Sequence, residues 1–90
     1  MITVHLPGSV TDAFHADPVI SLAAHTLSDV LQRLDQTWPG MASWLVEPDD
    51  CFRENLSVFI SGRRLPPRAH VSTPVGDAAE VWILRAISGG

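Results

Sequence analysis

Residues 80–90 read Glu80-Val81-Trp82-Ile83-Leu84-Arg85-Ala86-Ile87-Ser88-Gly89-Gly90. Val81 to Ala86 is apolar at nearly every position, the pattern of a strand buried on both faces in the middle of a sheet. Ile87 to Gly90 follows that strand directly. A chain that runs from a central strand into two glycines needs the rest of its sheet upstream.

Upstream, Ile2, Val4 and Leu6 alternate with Thr3 and His5, the period of a half-buried strand, and Pro7-Gly8 stops it. Gly8 to Asp17 is rich in turn formers and reads as a long loop. The apolar run Val19 to Ala24 then returns as a second strand paired with the first. Thr26 followed by Asp29 resembles a capping box with aspartate in the glutamate place. Behind it, Leu27, Val30, Leu31, Leu34 and Trp38 form one apolar helical stripe, which Pro39-Gly40 ends.

Met41 to Val46 reads as one further helical turn carrying Trp44 and Leu45 inward, and Glu47-Pro48-Asp49-Asp50 as an exposed acidic loop. Leu56, Val58 and Ile60 alternate with Ser57, Phe59 and Ser61. This strand turns at Ser61-Gly62 into Arg63-Arg64-Leu65, and Pro66-Pro67 ends the return. Arg68 to Ala79 is an irregular connection with a turn at Gly76-Asp77. The order is hairpin, helix, hairpin, last strand. With a right-handed crossover through the helix, the first and last strands lie side by side at the centre. That arrangement is an α+β fold of the β-grasp, ubiquitin-like kind: a mixed sheet of four to five strands on one main helix, with residues 1–86 as the domain and 87–90 as a flexible tail.

Composition agrees with one such unit. Ninety residues, 46% of them hydrophobic, suffice for one core and not for two. The single cysteine, Cys51, rules out a disulfide framework, and the four histidines show no zinc-ligand spacing, so no metal is expected and a reducing cytoplasm fits best. The N-terminus lacks the basic and apolar regions of a signal peptide, and no apolar run is long enough to cross a membrane. All six basic residues are arginine, without a basic stripe, and the net charge is -4. Nucleic acid is therefore not expected as a partner, whereas a basic protein surface is favoured. The absence of lysine means the chain cannot extend polymers on its own side chains.

Gly89-Gly90 carries the chemical reading. At average composition such a pair falls at a given position roughly once in two hundred chains. Gly89 and Gly90, which have no Cβ atoms, and before them the small Ser88 let the end of the chain thread a narrow channel, so that the carboxylate of Gly90 reaches a partner's active site. A carboxylate is a poor electrophile and must first be activated, most simply as an acyl-adenylate formed from ATP. A sulfur nucleophile that displaces the adenylate leaves a thiocarboxylate, ionised at neutral pH and itself a good nucleophile.

The terminal ISGG behind EVWILRA, the GDAAEV turn, the VFISGRRL hairpin and the SDVLQRLDQTWPG helix together resemble the MoaD/ThiS family of ubiquitin-like sulfur carrier proteins. The resemblance spans essentially the whole chain. It implies a carrier that is not an enzyme and binds no cofactor of its own. A ubiquitin-activating-type adenylyltransferase would activate it with ATP, a sulfur-donor protein would load Gly90, and a downstream sulfur-accepting enzyme would unload it. Family members commonly carry Asn-Gly where this chain has Ser61-Gly62, and Gly-Asp-Glu-Val where it has Gly76 to Val81. The stretch Glu47 to Asn55 resembles molybdopterin-type or cysteine-biosynthetic carriers more than the shorter thiamin type. A protein modifier joined to lysines through Gly90, and an inert β-grasp interaction module, are the alternatives.

Further residues are candidates for partner binding. Phe59 falls on the strand face opposite Leu56, Val58 and Ile60, which would make it, with Leu65, an apolar docking patch; a register slipped by one would turn it inward instead. Arg63 and Arg64 read as a solvated hairpin edge, and they or Arg85 are candidates to orient the tail by pairing with partner carboxylates. Trp38, Trp44 and Trp82 read as core, and Cys51 and the histidines as incidental.

Overall fold

A computed structural model describes residues 1–77 and 79–85. Within them lie β1 (Ile2–His5), α1 (Gly8–Phe14), β2 (Val19–Leu22), α2 (Leu27–Thr37), α3 (Met41–Leu45), β3 (Leu56–Ile60), β4 (Arg63–Arg64) and β5 (Glu80–Arg85). The strands are ordered β2-β1-β5-β3-β4. β1 and β5 run parallel at the centre and the other pairs are antiparallel, which is the β-grasp arrangement expected.

Alternation decides which side of the sheet is covered. Ile2, Val4, Leu56, Val58, Val81 and Ile83 are buried with Leu27, Val30, Leu31 and Leu34 of α2 in one core. Removing such side chains from water contributes roughly 1.5–3 kcal/mol each. The opposite phase of β5 is not covered: Trp82 is 39% and Leu84 40% exposed. β5 is thus central in the sheet but buried on one face only, a correction to the reading of it as buried on both. The reason is that the helical residues packed into the core meet the sheet on one side, which leaves the other face to solvent.

α2 begins where the capping box places it. Thr26 Oγ1 accepts from the Asp29 N–H at 3.2 Å, and Asp29 Oδ2 accepts from the N–H groups of Thr26 at 3.2 Å and His25 at 2.9 Å. Beyond Trp38, Gly40 sits at φ 95°, a left-handed conformation that glycine takes without strain. Asp35 Oδ1 accepts from the N–H groups of Gly40 and Ala42, both at 3.1 Å, and so ties α2 to α3.

Two local readings are corrected. Gly8 to Phe14 is helical rather than part of a long loop. The Pro7 carbonyl accepts from Val10 and Thr11, and Val10 and Phe14, four residues apart, pack inward, so tertiary contact overrides the turn-forming composition. In α3, Met41 and Leu45 are buried, whereas Trp44 is 51% exposed. Trp44 meets Phe14 in a T-shaped contact, with ring centroids 5.4 Å apart and planes at 76°. Trp38 is half-buried against the core, so of the three tryptophans read as core it alone packs there.

Candidate functional site

Arg85 is the last described residue of β5, and it stands opposite Leu56 at the start of β3. β1, parallel to β5, ends nearby and leads through Pro7 into α1. The chain therefore leaves the centre of the sheet at the end bounded by α1 and the beginning of β3. Ser88, Gly89 and Gly90 lie outside the described residues, as does the 86/87 boundary between domain and tail.

The sequence-predicted docking residues separate. Leu56 and Val58 face the core, so the register of β3 is the one that turns Phe59 away from the helices. Phe59 stands opposite Trp82 on one side and Arg64 on the other. Leu65, whose N–H donates to the Val58 carbonyl at 2.8 Å, packs against the core instead. The structure thus brings Phe59 together with Trp82 and Arg64 and sets Leu65 on the covered side. Arg85 is exposed at the end of β5.

Sequence reasoning missed what surrounds Trp82. The His5 imidazole and the Trp82 indole are stacked, with centroids 3.5 Å apart and planes within 2°. Glu80 Oε1 lies 2.7 Å from His5 Nε2 and accepts from Trp82 Nε1 at 3.2 Å. One signal was legible: Glu80, Trp82 and Leu84 share one phase of β5, and His5 shares the polar phase of β1. Reading β5 as wholly buried hid it.

Elsewhere, the acidic loop is organised by Arg68. Its guanidinium donates to Asp49 Oδ2 and lies 3.5 Å from Glu47 Oε2. The hydrogen bond from Arg68 holds the Asp49 carboxyl below its ordinary range, and the same contact raises Arg68. Cys51 and His70 face each other across an isolated bridge, but His70 Nδ1 is engaged by Ser72. Among the described residues no three His, Cys, Asp or Glu side chains converge on a possible metal position. No helix among them is long and apolar enough to cross a membrane.

No protein-family model matches the sequence, and no curated protein matches it. Solved structures do. CysO of Mycobacterium tuberculosis superposes with a TM-score of 0.81 at 19% identity, over 97% of this chain and 100% of that one. A chain of the BexX/CysO complex of Amycolatopsis orientalis gives 0.84 at 17% identity, with 100% of both chains covered. Small archaeal modifier protein 1 of Methanosarcina acetivorans gives 0.75 at 23% identity, over 99% of this chain and 95% of that one. These neighbours are ubiquitin-like proteins of the ThiS/MoaD sulfur-carrier type, and the likeness at such identities establishes a shared fold.

Proposed function

We propose that this β-grasp chain is a sulfur carrier whose reacting group is the carboxylate of Gly90. The observation that carries the proposal is the position of Gly89-Gly90, four and five residues in sequence beyond the end of a strand that occupies the centre of a ubiquitin-like sheet. Two residues without side chains let the continuation of that strand enter a narrow site.

In this reading the chain is a substrate and not a catalyst. A partner adenylyltransferase forms the acyl-adenylate at Gly90, with pyrophosphate leaving ATP. Sulfide, or a persulfide on a sulfur-donor protein, attacks the acyl carbon and expels AMP. With sulfide the thiocarboxylate forms at once; with a persulfide the acyl disulfide must first be cleaved by a thiol. The thiocarboxylate then gives its sulfur to an accepting enzyme. Molybdopterin-type or cysteine-type biosynthesis suits the length of the Glu47–Asn55 stretch better than thiamin-type. The resemblance to carriers of this family and the shared fold of CysO support the scheme. Gly89 and Ser88 serve access, and Arg85 steers the tail. Phe59 and Leu65, on opposite faces near β4, serve as two separate contacts for the partner rather than one patch.

The likeness to a small archaeal modifier protein supports a second reading, in which the activated Gly90 forms amide bonds with lysines of other proteins. Intact-mass analysis separates the two. After incubation with ATP, the activating enzyme and sulfide, a carrier gains the mass of one oxygen replaced by sulfur. A modifier yields conjugates of higher mass in cell extract. The absence of both products would refute both readings.

A further inference from the structure

The open face of the sheet has an ordered centre. Val19, His5, Trp82, Phe59 and Arg64 stand opposite one another in register, one from each strand, in a single row across the sheet. Two of the residues on this face, Val19 and Trp82, are 51% and 39% exposed, so the row offers apolar surface that the chain itself does not cover. One carboxylate stands beside its middle. Glu80 is next to His5 and Trp82, and both of its polar contacts fall on the same oxygen, Oε1.

Glu80 Oε2 has no hydrogen-bond partner among the described residues, and the side chain is 53% exposed. The Oε1 contacts keep the carboxylate at the ring edges of a stacked imidazole and indole. A group donating to Oε2 is therefore brought against an aromatic surface. Few side chains satisfy both demands. An ammonium ion answers the charge but is compact and strongly hydrated, and an amide is planar but neutral. A guanidinium is flat, permanently charged, weakly hydrated and stacks on aromatic rings. The chain's net charge of -4 adds a long-range pull on a basic surface.

We propose that this spot seats an arginine of a partner protein, its guanidinium donating to Glu80 Oε2 and lying against the Trp82 indole. The arginine seat itself is formed by His5 of β1 and by Glu80 and Trp82 of β5 and does not require any chemistry at Gly90, so it stands or falls separately from the carrier reading. Phe59 and Val19 flank the position on either side along the row and give the surrounding partner surface apolar contact.

The three tryptophans make the test internal to one spectrum. The full chain, labelled with nitrogen-15, is titrated with acetyl-Gly-Arg-Gly-amide while the indole Nε1–H resonances are followed, and the lysine and citrulline peptides are run beside it. Saturable shifts at Trp82 are expected with the arginine peptide, weaker ones with lysine and none with citrulline. Trp44, which is also exposed but has no carboxylate bonded to its indole among the described residues, should not respond. Glu80→Gln should weaken the arginine peptide by up to about fivefold, the scale of an exposed charge contact converted to affinity. Equal shifts with citrulline, equal response at Trp44, or unchanged affinity in a folded E80Q variant would overturn the proposal. So would concentration-dependent shifts at Trp82 without peptide, which would mean that a second copy of the chain covers the face. The citrulline comparison needs no variant and holds even if E80Q fails to fold. A chain lacking Gly89 and Gly90 should bind the peptide unchanged, which keeps this result distinct from any test of sulfur loading.

Discussion

Asp29 shows how one side chain fixes the start of an element. Its carboxylate accepts from the N–H groups of His25 and Thr26, and the His25 contact is the largest reason its pKa lies below the ordinary value of 3.8. A depressed carboxylate stabilises the fold above its unfolded pKa, and that stability is lost as pH falls through the folded value. Thermal melts should therefore show a smaller drop on acidification for Asp29→Asn than for the natural chain, with the variant already less stable at neutral pH. Thr26→Ala removes the reciprocal bond and should cost about 1 kcal/mol, read by urea unfolding at neutral pH. The capping pair was legible in the sequence because both partners lie within one helical turn. The Glu80 contacts were not. Trp82 is two residues from Glu80, but His5 is joined to it only through the parallel pairing of β1 and β5.

Turn chemistry and helix packing set the elements themselves. Ser61 at φ 50° and Gly62 at φ 83° are both left-handed, the geometry of a two-residue hairpin that matches strand twist. Asparagine tolerates that region better than serine, so Ser61→Asn should raise stability by about 0.5 kcal/mol. Gly62→Ala should lower it by roughly 1 kcal/mol, because a Cβ is strained at that φ although nothing lies near it. Leu34→Ala, at a side chain only 1% exposed, should cost about 2–5 kcal/mol by denaturant titration. The long apolar period of α2 made it readable, as strict alternation did for β1 and β3. α1 was not readable, because seven residues with Gly8, Ser9 and Asp12 among them have little helical preference of their own. Val10 and Phe14 hold it only once the rest of the core exists.

Across the whole molecule, the order of hairpin, helix, hairpin and last strand was enough to place β1 beside β5. The covering of the sheet was not contained in that order. A run such as Val81 to Arg85 is equally compatible with two covered faces or with one covered and one apolar face left open. Only the packing of the helical residues decides between them. The candidate site divides in the same way: Gly89-Gly90 was visible as a pair of residues, whereas the open face with Trp82 at its middle emerged from the fold. Under the proposed carrier function, extending the chain by one alanine after Gly90 should abolish loading while leaving the melting temperature unchanged.

Arg85 and the lack of lysine allow the location of the sulfur to be tested in one digest. Trypsin cuts after Arg85 and releases residues 86–90 as a single short peptide. After incubation with ATP, the activating enzyme and sulfide, that peptide should carry one sulfur in place of one oxygen, and fragmentation should put the change on Gly90. An unmodified 86–90 peptide from an incubation in which ATP was consumed to AMP, or sulfur found instead at Cys51, would contradict the account.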